Sequence, residues 1–154
     1  MDLKNYVDSY VKERRNETFE NSSQLTLGEI IKELEKCGTI YKGKDKKTIE
    51  FDFGSAIPTT LDSWRGSYSE LALGYELSGY DGDADYENIT VEKLLENLKS
   101  AIGKEFTGWK GGEFIMDEDT PVWVSNPGNA DNTGIIGVLD LGYSVVLLTA
   151  YCDY

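Results

Sequence analysis

Residues 51–75 read FDFGSAIPTTLDSWRGSYSELALGY, and the fold class follows from how this stretch alternates. Thr48 to Phe53 repeats with a period of two, so Ile49, Phe51 and Phe53 share one face of a strand. Pro58 and the polar run Thr59-Thr60-Leu61-Asp62-Ser63 then interrupt the pattern. A second strand is expected from Tyr68 to Leu77, after a turn that carries Trp64, Arg65 and Gly66. Arg65 is the only arginine beyond Arg15, and it stands between Trp64 and Tyr68. A cation among aromatics, on a turn between strands, is a candidate binding site, because Trp and Arg combine rigid area with forked hydrogen bonding.

Upstream, Thr26 and Glu29 form the T-x-x-E pattern of a capping box. Ile30, Ile31 and Leu34 make the apolar stripe of that helix, and Gly38 is its stop. The lysine-rich KGKDKK of residues 42–47 reads as a solvated turn. Before these lies an amphipathic helix over residues 2–16, with Leu3, Tyr6, Val7, Tyr10 and Val11 as its stripe and a polar linker from Asn16 to Gln24. The organisation expected is an N-terminal helical extension, residues 1–20, and a single α+β domain, residues 25–154. Packing of the extension on its own domain is favoured over a free arm.

Downstream, GYDGDADYE (residues 79–87) is a loop, and Ile89 to Gly103 is a second helix. Thr90 caps that helix, and Leu94, Leu95 and Leu98 form its stripe. Thr26 and Thr90 lie 64 residues apart with their stripes in the same phase. Two ordinary capped helices, or a degenerate duplication, account for this equally in kind, and the first is simpler. Glu113 to Met116 and Thr120 to Ser125 suggest a hairpin around the acidic turn Asp117-Glu118-Asp119. Ile135 to Leu139 and Tyr143 to Tyr151 are two more strands, joined at Asp140-Leu141-Gly142. The last is almost wholly apolar and belongs in the sheet centre. The expected fold is an antiparallel sheet of five or six strands with two capped helices packed on one face, plus the N-terminal helix.

The chain has 154 residues, of which 40% are hydrophobic, enough for one domain with a real core. Residues 1–4 show no apolar leader and no run has the length of a membrane span, so a cytoplasmic protein that does not enter membranes is expected. Cys37 and Cys152 match no metal spacing and read as free thiols. The net charge is −13 and is uneven. Residues 1–47 carry ten basic and nine acidic side chains, the remainder five and nineteen. Such a surface repels nucleic acid and anionic membranes and attracts a basic protein groove; simple solubility is the plainer reading.

There is no histidine, which removes the commonest general base and metal ligand together with every Ser/His/Asp and Cys/His constellation. Gly108-Trp109-Lys110-Gly111-Gly112 lacks the spacing of a phosphate-binding loop. Acids at Asp81, Asp83, Asp85, Glu87 and Glu92 approach the spacing of a calcium loop, but Tyr86 stands where that loop turns on glycine. A solvated acidic loop is the better reading, and no cofactor is expected. Two basic-aromatic turns, around Trp64, Arg65 and Tyr68 and around Trp109 and Lys110, resemble each other. They form one recessed site, or else their tryptophans cover a sheet edge while the cations neutralise nearby acids.

The blocks SWRGSYSELALGY (63–75), WKGGEFIMDEDTPVWV (109–124) and GIIGV (134–138) resemble a family of small proteins of tailed phages and prophages, over about residues 25–148. That family carries no assigned activity, so the resemblance transfers no functional residue. It implies a phage origin and a role in the cytoplasm of an infected bacterium. The function expected is that of a non-catalytic accessory protein that binds and inhibits a host defence protein as an acidic nucleic-acid mimic, in the manner of an anti-CRISPR or anti-restriction protein. Its acids would be Asp81, Asp83, Asp85 and Glu87 in one loop and Asp117, Glu118 and Asp119 in the other. Two other readings stand beside it. One is a small-molecule binder that sequesters an anionic nucleotide through Arg65, Lys110 and the tryptophans; the other is a hydrolase that uses carboxylates and a metal.

Overall fold

The computed structural model describes residues 3–21, 23–53, 56–64, 69–77, 89–108, 111–125 and 132–152. Its two capped helices, α2 (Leu27–Cys37) and α3 (Val91–Ala101), start in the same way. Thr26 accepts a hydrogen bond from the Glu29 N–H, and the Glu29 carboxylate accepts one from the Thr26 N–H. Thr90 accepts from the Lys93 N–H. Ile30, Ile31, Leu34, Leu94, Leu95 and Leu98 are all buried, and they meet Val145 and Leu147 of the sheet in one apolar core. A stripe repeating every three to four residues leaves a helix no other way to shed its apolar face from water.

The sheet has six strands, β1 (Thr48–Phe51), β2 (Ala56–Ser63), β3 (Leu71–Leu77), β6 (Val122–Ser125), β7 (Thr133–Asp140) and β8 (Ser144–Tyr151). A separate ribbon pairs β4 (Glu105–Thr107) with β5 (Glu113–Ile115). The spatial order of the large sheet is β1-β8-β7-β6-β3-β2. The apolar closing strand β8, expected at the sheet centre, is interior but lies one place in from the β1 edge, and both of its faces are covered: Val145 and Leu147 by the α2/α3 core, Val146, Leu148 and Ala150 by a second cluster. Phe51, Phe53 and Tyr75 pack edge-on and stacked, with centroids 5.0–5.9 Å apart, where the β1 and β2 edges curl toward each other.

Five expectations are corrected. The sheet is mostly but not wholly antiparallel, since β1 runs parallel to β8 and β3 parallel to β6. Residues 56–63 form a strand despite Pro58 and the polar run that follows it. Pro58 is tolerated because β2 lies at the sheet edge and its register shifts between Pro58 and Thr60, so no inner ladder bond is lost. The hairpin around residues 117–119 does not form: β5 pairs back with β4, and β6 pairs with β3 and β7. The first helix, α1 (Leu3–Asn21), runs through most of the expected linker. It also lies on the opposite face of the sheet from α2 and α3, with Val7 and Val11 against Ile136, Leu139, Val146, Leu148 and Ala150. Tyr6 and Tyr10, expected in its stripe, are exposed. Val7 and Val11 are compact apolar side chains that meet the sheet, and the bulkier tyrosines are turned to solvent, where their hydroxyls stay hydrated.

Candidate functional site

Of the twelve residues singled out in the sequence, Arg65, Tyr68, Asp81, Asp83, Asp85, Glu87, Trp109 and Lys110 lie outside the described residues. Trp64 is a correction. It is 0% exposed and stacks on Trp123, with centroids 4.2 Å apart and planes 10° from parallel. With Ala72, this pair fills the sheet face opposite α2 and α3, over β3 and β6. Glu70 fastens the corner: its carbonyl accepts from the Trp64 N–H, and its carboxylate accepts from the Trp123 indole. Trp64 therefore presents no surface to a ligand. A large apolar ring beside an available sheet face is buried because burial outweighs display, by roughly 2–3 kcal/mol for a side chain of this kind.

Asp117, Glu118 and Asp119 are exposed, on a turn built as a clasp. The Asp117 carboxylate accepts from the Asp119 N–H at 2.8 Å and from the Thr120 hydroxyl at 3.3 Å. The Thr120 oxygen in turn accepts from the Asp117 N–H. The clasp also completes the N-terminus of α2, where the Leu27 N–H donates to the Thr120 carbonyl and the Gly28 N–H to that of Glu118. With the Thr26 hydroxyl accepting from the Glu29 N–H and the Glu29 carboxylate accepting from the Thr26 N–H, all four otherwise orphaned N–H groups of that helix are satisfied. Gly28 suits this fit: a Cβ there would stand 3.0 Å from both the Glu118 carbonyl oxygen and its Cβ, so the turn would have to give by a few tenths of an ångström. The three acids thus sit on a rigid support beside the positive end of a helix dipole, and none of them forms an ion pair among the described residues. The neighbouring ribbon adds Glu105 and Glu113 to the exposed surface. No group of three acids, cysteines or histidines suited to a metal occurs among the described residues.

Two polar sites had no signal strong enough to be found in the sequence. Asp52 follows Phe51 in an apolar strand pattern, and only 3% of its side chain is exposed. Both of its oxygens are engaged by Thr149, from the N–H at 2.7 Å and the hydroxyl at 2.6 Å, and the Arg15 Nε lies 3.7 Å away. Arg15 also donates to the Thr149 carbonyl at 2.8 Å. Burial raises the Asp52 carboxyl above its ordinary value, against the opposing pull of the Thr149 bonds and the Arg15 charge. Asp52 lies in a cleft of about 540 Å³ that Val7, Val11, Lys12 and Arg15 wall on the α1 side. A buried acid with a raised pKa in a cleft has the character of a functional group. Here its hydrogen bonds all go to the chain's own strand, and the arrangement works as a clamp of α1 onto β8.

The second is Lys47, expected in a solvated turn and found buried. Its ammonium donates to the Cys37 carbonyl at 2.6 Å and to both Asp140 oxygens at 3.0–3.1 Å. These acceptors offset the desolvation of the charge and pin the end of α2 to the β7–β8 turn. Burial, reinforced by Asp140, raises the pKa of the neighbouring Cys37 thiol, which disfavours the reactive thiolate. Cys37 and Cys152 are both free.

No family model matches the chain, and neither a curated protein nor a solved structure does so.

Proposed function

We propose that this protein is a non-catalytic, phage-type accessory protein that docks its acidic surface into a basic groove of a host protein and so keeps nucleic acid out of that groove. The observation that carries this reading is the clasp at Asp117, Glu118 and Asp119, where three exposed carboxylates without ion pairs among the described residues stand on a fixed support. A nucleic-acid mimic needs fixed negative charge, because attraction to a groove depends on the local summed field rather than on net charge. The excess of nineteen acids over five bases beyond residue 47 supplies the background field. The resemblance to small phage and prophage proteins supports the setting, an infected bacterium, and CRISPR effectors and restriction enzymes are the target class with the required grooves. The reading in which tryptophans and cations hold a nucleotide has lost Trp64 to the core.

The test is DNA cleavage by a purified CRISPR effector and by a restriction endonuclease, with the wild-type chain and with Glu118→Lys/Asp119→Lys. Asp117 is kept because it closes the turn. The wild type is expected to inhibit one of these enzymes, with an association rate that falls as salt shortens the Debye length from about 10 Å at 0.1 M to about 3 Å at 1 M. The double reversal should slow association while changing stability by no more than about 0.5 kcal/mol. Inhibition that is indifferent to both salt and charge reversal would end the mimic reading.

A further inference from the structure

The first strand of the closing hairpin, β7, is incompletely paired. On one side β8 follows it throughout. On the other, β6 reaches only Gly134, opposite Trp123, and the Leu25 N–H takes the Ile135 carbonyl at 2.8 Å. From Ile136 to Leu139, β8 is the only strand neighbour among the described residues.

The hydrogen-bonding phase of the hairpin fixes which backbone groups this leaves. Leu141 donates to the Ser144 carbonyl, so the pairs Leu139/Val146 and Gly137/Leu148 exchange ladder bonds, and Val138 turns its N–H and C=O away from β8. The far side of β8 gives the same phase. The Thr149 N–H is used by Asp52, and the Leu147 carbonyl accepts from the Asp52 N–H, so Leu147 and Thr149 face β1 while Val146 and Leu148 face β7. Val138 is half-buried, and its outward N–H and C=O have no hydrogen-bond partner among the described residues.

This edge is the floor of a groove of about 470 Å³. Arg14 and Thr18 of α1 form one wall, and Glu29, Lys32, Glu33 and Lys36 of α2 form the other, with the Glu29 carboxylate engaged by the Thr26 N–H. Arg14 is paired with Glu17, and Lys36 with Glu33. Lys32 has no ion pair among the described residues.

We propose that this recessed edge of β7 is a docking site for one extended segment of a partner protein, which adds a strand beside Val138 and carries an acidic side chain to Lys32. Unpaired edges attract strands because their N–H and C=O groups are preformed partners. The recess selects the occupant. Because α1 and α2 stand on opposite faces of the sheet and flank the edge, a second copy pairing through its own β7 would bring two more helices into the same space. A single extended chain needs only the strand spacing of about 4.8 Å. The uncovered four residues offer about 13 Å of edge, enough for a short strand. Lys32, the rim cation without an ion pair among the described residues, favours an acidic residue at that point of the strand, distinct from the basic groove proposed to meet the acidic surface.

The experiment uses the whole chain and a displayed library of random peptides, followed by the synthetic peptide recovered. In the free protein, the Val138 amide should exchange with solvent faster than those of Gly137 and Leu139. The recovered peptide should protect the Val138 amide, bind about tenfold or more weakly to Val138→Pro, and weaken with Lys32→Glu. Proline at position 138 removes an outward N–H and no ladder bond, so the variant is expected to keep its fold. If it does not fold, the wild-type amide protection and Lys32→Glu still decide. A failure to recover any peptide, peptides that leave the Val138 amide unprotected or bind Lys32→Glu unchanged, or a dimer that protects Val138 by itself overturns the proposal.

Discussion

The two faces of the sheet are covered by different means. On one, α2 and α3 press a continuous apolar layer against β1, β3, β6, β7 and β8, and Leu34, Leu98, Ile49 and Leu147 are essentially unexposed. On the other, α1 brings two valines and a polar clamp of Arg15, Asp52 and Thr149. The first face draws its stability from burial, which depends little on salt or pH. The second draws on charged groups whose desolvation offsets much of what they contribute. The difference makes α1 the weaker unit, able to open locally while the α2/α3 layer stays folded.

The largest effect that sharpens this contrast is Leu34→Ala, which leaves a cavity in the α2/α3 layer and should cost about 2–5 kcal/mol in urea denaturation. Amides of α3 and β8 should lose protection together with those of α2, because the core is shared. A loss confined to α2 would break the picture of one cooperative layer.

Val11→Ala should cost less, about 1–2 kcal/mol, from the methyl groups it removes. Its signature should be local: α1 amides exchange faster and the helix becomes sensitive to protease, while the amides of α2 and α3 are unchanged. Global unfolding by this variant would put α1 on the same footing as the other helices.

The smallest effect concerns pH. Asp52 has a raised pKa in the folded protein, so over the range from its ordinary value of 3.8 upward the native state holds more protons than the unfolded one. Stability from this group is therefore fully present at lower pH and declines as pH rises through the folded value. Asp52→Asn keeps an acceptor for the Thr149 N–H and removes the titration. The stability of wild type relative to the variant should fall as pH rises from about 4 toward neutrality; a rise would mean that the Thr149 hydrogen bonds, with the Arg15 charge, outweigh burial.

Much of the architecture was legible in the chain. The apolar stripes of α2 and α3 and the interior position of β8, covered on both faces, follow from spacing and composition, because a helix or strand with that much apolar surface has few ways to bury it. What misled was local polarity. Pro58 and its polar neighbours looked like a break, yet an edge strand has one side that owes no hydrogen bonds. Trp64 looked like a display residue, because a sequence does not say whether an aromatic on a turn meets solvent or Trp123. Of the candidate site, Asp117, Glu118 and Asp119 were found where charge density put them, but their role in completing the α2 terminus was not.

By itself, then, the sequence determined the α2 and α3 stripes, the caps at Thr26 and Thr90 and the acidic excess beyond residue 47, because each is a property of neighbours along the chain. Only the tertiary structure decided that α1 takes the opposite face, that Asp52 clamps it, that Lys47 is buried against Asp140 and that β7 keeps an open edge. These depend on pairs separated by 90 residues or more, such as Lys47 with Asp140 and Asp52 with Thr149. Contacts at that separation form only where the sheet order brings them together, and no local period encodes the order.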